Sequence, residues 1–471
     1  MALTTTQHLP ALGTATWASL LGSALLVACG GGGGDSSAVP TLASGYPQAP
    51  VSCSTTDQKA WLRDYMNDRY FWYDQQGTPN DAATTPAGYL SSLLFKPKDR
   101  YSYTQNTAQY TQFFAEGTRT GYGYALMYED AAKTVLKVRL IEPRSPLGTQ
   151  GLLQRGDTIV SIDGFTPAQI TAGQLSAVST EGVQRNFVVQ GSTGQRSFSA
   201  LSATFPLSPV IDARVLTVGS TRVGYLMYQE FITTGAAALG SAFEAFSAAG
   251  VTELILDFRY NGGGSTAQAR NIASMAGGAA VEGKVFANYR YSAKLADNNV
   301  VQNFTTNGLP AVPLAAVNRV FVITSGDTAS ASELVINALR PFKPVITIGG
   351  TTYGKPYAFV PQEACGTTSS AVNIEIANAL GSADYSAGFA ATCPVADDLT
   401  RQLGDPLEAR LAAALGYVRT GSCPVAASVL QPNKPNAQGN AAQAATKSIV
   451  SSALQSDTGY GEISPAQMRM D

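Results

Sequence analysis

The chain reads as an α/β protein carrying a β-rich insertion, and three observations predict this. From Phe205 onward, apolar strand patterns alternate with helical ones, which is the signature of a sheet with crossover helices. The stretch before it, residues 118–204, shows short strands separated by glycine and proline turns. A content of 45% hydrophobic and 14% charged residues over 471 positions supplies enough apolar surface for more than one core.

The chain opens on an apolar run, Ala15 to Ala28, that is short for a membrane-spanning helix and ends in Leu26-Val27-Ala28-Cys29 ahead of Gly30 to Gly34. This resembles a bacterial lipoprotein signal, although residues 1–14 lack the usual Lys or Arg. The resemblance implies a signal over residues 1–29, acylation of Cys29 and a flexible tether over 30–50. It also implies a protein of the bacterial cell envelope, facing the periplasm and attached to the membrane through a lipid anchor.

Residues 51–117 follow as a helical cap. "DQKAWLRDYMNDRYFWYDQ" (Asp57 to Gln75) places Trp61, Tyr65, Met66, Tyr70 and Phe71 near helical spacing, an aromatic stripe suited to core packing. In the α/β segment, residues 205–424, "RVGYLMYQEF" (Arg222 to Phe231) reads as a strand and Thr234 to Ala249 as a helix. "TELILDFRYNGGGS" is then a buried strand running into a glycine loop. "RVFVITSGDTASASELVINALRPF" repeats the theme, with a helix from Ser330 to Arg340 stopped before Pro341, followed by the strand "PVITIGG". Asp405 to Val418 is a closing helix, and residues 425–471, rich in Ala, Gln, Asn and Ser, form a low-complexity tail.

Composition excludes several functions. A net charge of −2, a pI near 5.6 and the lack of a long basic run leave no electrostatic footprint for nucleic acid. The one histidine, His8, lies in the expected signal, so Ser-His-Asp and Cys-His mechanisms are excluded from the mature chain. Cys53, Cys365, Cys393 and Cys423 are an even set for an oxidising compartment. Of three pairings, Cys365 with Cys393 closes a short loop and leaves Cys53 with Cys423. Without a CxxC spacing or available histidine, no metal and no cofactor are expected.

The chemistry concentrates in three stretches. Ser330 stands where a turn enters a helix, near its positive end, where the Ala331 N–H lacks a helical partner. Ser330 and Glu333 also match a capping box. Lys355, on the Thr351-Thr352-Tyr353-Gly354 loop one helix and one strand later, can become a base if burial lowers its pKa. Asn261-Gly262-Gly263-Gly264 offers backbone N–H groups for a developing oxyanion.

Together, "TASASE", "TYGK" and "DFRYNGGG" resemble the C-terminal-processing, or tail-specific, serine protease family, across roughly residues 57–418. The insertion, with "GYGY", "GLLQRGD" and "IVSIDG", resembles a PDZ domain over residues 118–204. The resemblance implies a crotonase-like ββα core and a Ser/Lys endopeptidase acting on proteins or peptides with a free C-terminus. It makes Ser330 the nucleophile, Lys355 the general base and Glu333 a supporting residue. Ala331, Gly263 and Gly262 become oxyanion donors, and Gly121, Tyr122, Gly123 and Tyr124 a peptide-binding loop whose glycines let a ligand approach the backbone. Two departures stand out: Pro356 where a glycine usually follows the lysine, and Phe359 where a glutamine is usual. A catalytically silent peptide- or ligand-binding lipoprotein with the same fold is the alternative.

Overall fold

A computed structural model describes residues 45–130 and 134–424. Cys29, the expected signal, most of the tether and the tail lie outside the described residues. The cap comprises α1 (Thr55–Arg69), α2 (Pro86–Leu93), β1 (Tyr103–Asn106) and α3 (Thr107–Phe114). Ser54 starts α1 by accepting from the Asp57 N–H, and Thr85 and Asn106 cap α2 and α3 in the same way. The aromatic stripe of α1 does pack: Trp61 stacks on Tyr65 at 5.8 Å within a buried cluster that also holds Tyr70, Trp72, Tyr101 and Phe359.

The insertion is entered by β2 (Thr118–Gly121) and comprises β3 (Tyr124–Tyr128), β4 (Leu136–Ile141), α4 (Pro146–Gln150), β5 (Thr158–Ile162), α5 (Pro167–Thr171), β6 (Gln184–Gly191) and β7 (Gly194–Leu201). It is left by β8 (Ala203–Pro206), which pairs antiparallel with β2. Strands β3 to β7 form one antiparallel sheet in chain order, with β3 at an edge.

The α/β part contains β9 (Val210–Val218), β10 (Thr221–Tyr228), α6 (Ala236–Ala248), β11 (Glu253–Asp257), α7 (Thr266–Gly277), β12 (Val285–Tyr291), β13 (Val300–Asn303), β14 (Arg319–Thr324), α8 (Ala331–Leu339) and β15 (Val345–Gly349). It continues through β16 (Tyr357–Phe359), β17 (Gln362–Ala364), β18 (Thr367–Ser370), β19 (Val372–Ala377), β20 (Cys393–Pro394) and α9 (Ala409–Thr420). The main sheet runs β20-β15-β14-β11-β10-β9, parallel except for β9. Strand alternation sorts its two faces. Leu226, Tyr228, Leu254, Leu256, Val320 and Val322 pack with α6, α7 and α8, whereas Val223, Tyr225, Met227, Ile255, Phe321 and Ile323 pack with α3 and α9.

The α/β class is therefore as expected, with helices on both sheet faces. A second sheet, β13-β12-β19-β16, was not legible in the sequence, because its strands follow α7 and α8 without a repeating crossover pattern. The short-loop cysteine pairing is corrected: Cys53 bonds Cys365 and Cys393 bonds Cys423. Cys365 occupies the β17–β18 turn, while Cys393 is held by β20 pairing with β15. The Cys53–Cys365 bond closes a separation of 312 residues, tying the start of the cap to that turn. Replacing both cysteines by serine is expected to cost about 2–4 kcal/mol of stability in oxidised protein, measured by urea unfolding.

Candidate active site

Open parallel sheets place their functional groups beyond the carboxyl ends of the strands. Here the segments leaving β11, β14 and β15 carry the glycine run, Ser330 and Lys355 respectively. Hydrogen bonds fasten the first two segments together. The Thr328 hydroxyl donates to the Phe258 carbonyl at 2.8 Å, and the Ala329 N–H and Ser332 hydroxyl both donate to the Asn261 carbonyl at 3.1 Å. The Asn261 amide in turn donates to the Tyr228 carbonyl at 2.7 Å.

Ser330 has φ 61° and ψ −115°, outside the usual regions for a side-chain-bearing residue, at a cost on the order of 1–3 kcal/mol. Its residue is fully buried and its hydroxyl finds no hydrogen-bond partner among the described residues. The strained turn thus leaves the oxygen free instead of using it as a helix cap. Gly263, at φ +107°, lies directly against it: a Cβ there would stand 2.8 Å from the Ser330 Cβ and 2.9 Å from the Ala331 nitrogen. The Gly263 N–H is already spent on Asn261 Oδ1 at 2.9 Å. Gly263 was expected as an oxyanion donor together with Gly262 and Ala331, and this bond occupies its N–H. Gly263 supplies close approach, and the Ala331 N–H opens α8 without a helical acceptor.

Glu333 joins this turn to the lysine loop. Its carboxylate accepts from the backbone N–H groups of Ser330 at 2.9 Å, Lys355 at 2.8 Å and Gly354 at 2.7 Å, and from the Thr352 hydroxyl. Burial pushes its pKa up, while these bonds pull it down by favouring the carboxylate. Gly354, at φ +92°, admits the backbone of Ser386 and Gly388, where a Cβ would fall 2.4–2.5 Å from their atoms. Its carbonyl accepts from the Tyr101 hydroxyl at 2.7 Å, and Arg100, lying over the Tyr353 ring at 4.3 Å, donates to the carbonyls of Tyr353, Gly354 and Ser386.

Lys355 is also fully buried, and its amine makes no hydrogen bond or ion pair among the described residues. It sits 3.6 Å above the centre of the Phe359 ring. Burial holds its pKa well below the usual lysine value; the nearby carboxylates Asp99 and Glu333 oppose this without reversing it. A buried hydroxyl, an amine inclined to lose its proton and uncommitted backbone N–H groups make a constellation suited to nucleophilic acyl transfer.

Comparison with known proteins now becomes decisive. Residues 222–384 match the peptidase family S41 model, and residues 57–103 match the peptidase S41 N-terminal domain. These two stretches carry peptidase family S41 domains. It is 26% identical over 250 residues to carboxyl-terminal-processing peptidase 2 of Arabidopsis thaliana chloroplasts, covering 51% of this chain and 46% of that protein. It is 25% identical over 253 residues to the chloroplast C-terminal processing peptidase of Tetradesmus obliquus, covering 51% of this chain and 52% of that one. The chain thus spans about half the length of the curated relatives it matches. A crystal structure of a Bacteroides fragilis protein assigned to the S41 proteases superposes with TM-score 0.62 at 26% identity, covering 77% of this chain and 97% of the other.

Several features of the site were not legible in the sequence. Asp99, ahead of β1, lies near enough to the lysine for its charge to oppose the amine's loss of a proton, and nothing local in the sequence marked it. Beneath the glycine run, buried Arg259 clasps Asp257 and donates to Glu408 at 2.8 Å, with the Tyr225 hydroxyl on Asp257 at 2.9 Å. The inserted domain also reaches these segments: Arg155 donates to the Tyr260 hydroxyl at 2.9 Å and to Asp397 at 2.8 Å, and Arg139 pairs with Asp327. Tyr122 and Tyr124, expected at a peptide-binding loop, bury their side chains in that domain's core. The Tyr122 and Gly123 carbonyls accept from the Leu147 and Glu142 N–H groups.

Two stability tests follow from this geometry. Glu333→Gln leaves buried donors unmatched and should cost on the order of 2–4 kcal/mol in urea unfolding. The unfolded chain binds a proton at Lys355 that the folded chain resists, so wild-type stability rises with pH until the ordinary lysine pKa, about 10.4, is passed. Lys355→Met should therefore be more stable than wild type near pH 7, by about 1.4 kcal/mol per unit of depression. That advantage should shrink as the pH approaches about 10.4.

Proposed function

We propose that the chain is a serine-type endopeptidase using Ser330 as nucleophile and Lys355 as general base. The observation that carries this reading is that the Ser330 hydroxyl and the Lys355 amine, both fully buried and without a partner among the described residues, lie on segments joined by one carboxylate.

Neutral Lys355 accepts the hydroxyl proton as Ser330 Oγ attacks the peptide carbonyl carbon. The resulting oxyanion is met by the N–H groups of Ala331 and Gly262. Lys355, now an ammonium, returns the proton to the departing amine, leaving an acyl-enzyme ester. Water then attacks the ester, Lys355 takes a proton from it, and Ser330 leaves with that proton. Glu333 fixes both segments throughout by holding their backbone N–H groups. Because the two reacting groups lie out of solvent, substrate entry requires the surrounding segments to part.

Substrates in this reading are exported proteins carrying an unstructured C-terminal tail. Such a tail adds as a strand to the open edge of β3, with its carboxylate near Gly121 to Gly123. The Cys29 anchor places the enzyme on the periplasmic side of the bacterial envelope. These readings rest on the S41 domain matches, the unpaired β3 edge of the inserted sheet and the signal-like N-terminus.

The deciding experiment is cleavage of an unfolded protein with an apolar C-terminus by the chain, beside Ser330→Ala and Lys355→Ala. Each variant should lose on the order of 10⁴-fold or more in kcat/KM while keeping its circular dichroism spectrum. A Lys355→Ala variant with substantial activity refutes the dyad. Tight tail binding without cleavage by the wild type moves the reading to a silent binding protein.

A further inference from the structure

Building on the Ser/Lys reading, we infer that the face of the Phe359 ring is the positioning partner of the Lys355 amine. The amine lies 3.6 Å from the ring centre and has no hydrogen bond or ion pair among the described residues. The ring itself is fixed: Phe359 is 1% exposed, closes β16 against Val372 of β19, and meets Tyr103 edge-on at 5.7 Å.

The neighbouring groups are committed elsewhere. The Glu333 carboxylate accepts from Ser330, Thr352, Gly354 and Lys355 backbone or hydroxyl donors. Asp99 accepts from the Tyr70 and Ser102 hydroxyls and from the Tyr101 and Ser102 N–H groups. Arg100 is bound to three carbonyls. The remaining titratable groups in this neighbourhood are Tyr101, Tyr353, Tyr357 and Tyr385, and burial raises the pKa of each, so they stay neutral through the physiological range.

An aromatic face suits the demands on this lysine. Its negative quadrupole attracts a cation most strongly where water is excluded. It therefore stabilises the ammonium that forms as Ser330 is deprotonated and offsets part of the desolvation that would otherwise make the amine too weak a base. When the amine is neutral, the ring draws its N–H bonds weakly and leaves the nitrogen lone pair for the hydroxyl proton. A carboxylate in the same place would hold the lysine charged and unable to act as a base.

The test replaces Phe359 with mono-, di- and trifluorophenylalanine, which drain the ring face at nearly constant shape, and adds Phe359→Leu. The titration of Lys355 is read directly from its ¹³Cε resonance, assigned by its loss in Lys355→Met. The pH profile of kcat/KM is recorded beside it. Stepwise fluorination should move the Lys355 titration and the acid limb of the profile together to lower pH. The full series should shift them by about one unit, with kcat falling about 10-fold and KM nearly constant. An unmoved Lys355 titration across the fluorinated series overturns the inference and leaves Phe359 as packing alone. Since the titration is read from the amine, it gives its answer whether or not the chain cleaves peptides; absence of cleavage by the wild type counts against the Ser/Lys reading alone.

Discussion

The site depends on the buried Glu333 carboxylate. It stands one helical turn from Ser330, and its oxygens accept from Ser330 on one side and from Thr352, Gly354 and Lys355 on the other. An isolated buried carboxylate costs several kcal/mol, and this cost is offset only if its oxygens are fully bonded. The carboxylate therefore holds two segments, separated by a helix and a strand, in one arrangement. It also supports the left-handed backbone of Ser330, since the N–H it captures is that residue's own. Gly263 completes the corner because only a residue without Cβ fits beside Ser330 and Ala331.

The surrounding architecture brings these segments to one edge. Parallel strands β11, β14 and β15 end together, so their loops leave in the same direction, and the Asp257–Arg259–Glu408 cluster anchors the first loop from below. The cap contributes from the other side. Its turn supplies Asp99, Arg100 and Tyr101, two of which bind the lysine loop directly. The insertion touches the same segments through Arg155 on Tyr260 and Arg139 on Asp327. Three separate stretches of chain thus bear on a corner whose buried Ser330 and Lys355 come from only two short motifs.

Those motifs are the part that sequence made legible. Ser330, Glu333, Lys355 and the glycine run are local patterns, each with a chemical reason for its residue types, and their order along the chain fixed which strand ends carry them. The capping-box reading of Ser330 and Glu333 captured the carboxylate's bond to the Ser330 N–H, but not the positive φ or its reach to residues 352–355. Those are consequences of tertiary packing, as is the loss of the Gly263 N–H to Asn261. Asp99 was illegible because its charge acts on the lysine across some 250 residues of chain. The cysteine pairing failed for a similar reason: loop length favoured Cys365 with Cys393, while strand pairing of β20 with β15 turned Cys393 toward the end of α9.

Most buried polar groups in proteins find partners, so those that do not call for a reason. Here the unpartnered atoms include the Ser330 hydroxyl and the Lys355 amine, both fully buried and both on a scaffold that satisfies their backbone N–H groups. Packing for stability alone would fill the Lys355 position with an apolar side chain and relax Ser330 into an ordinary cap. The chain instead maintains a strained serine, a desolvated lysine over an aromatic face and a carboxylate spent on holding both. Local departures from good packing, supported by strict order around them, are the form that stored reactivity takes in a fold. The burial that lowers the lysine's proton affinity also encloses the Ser330 hydroxyl, so one physical condition acts on both groups.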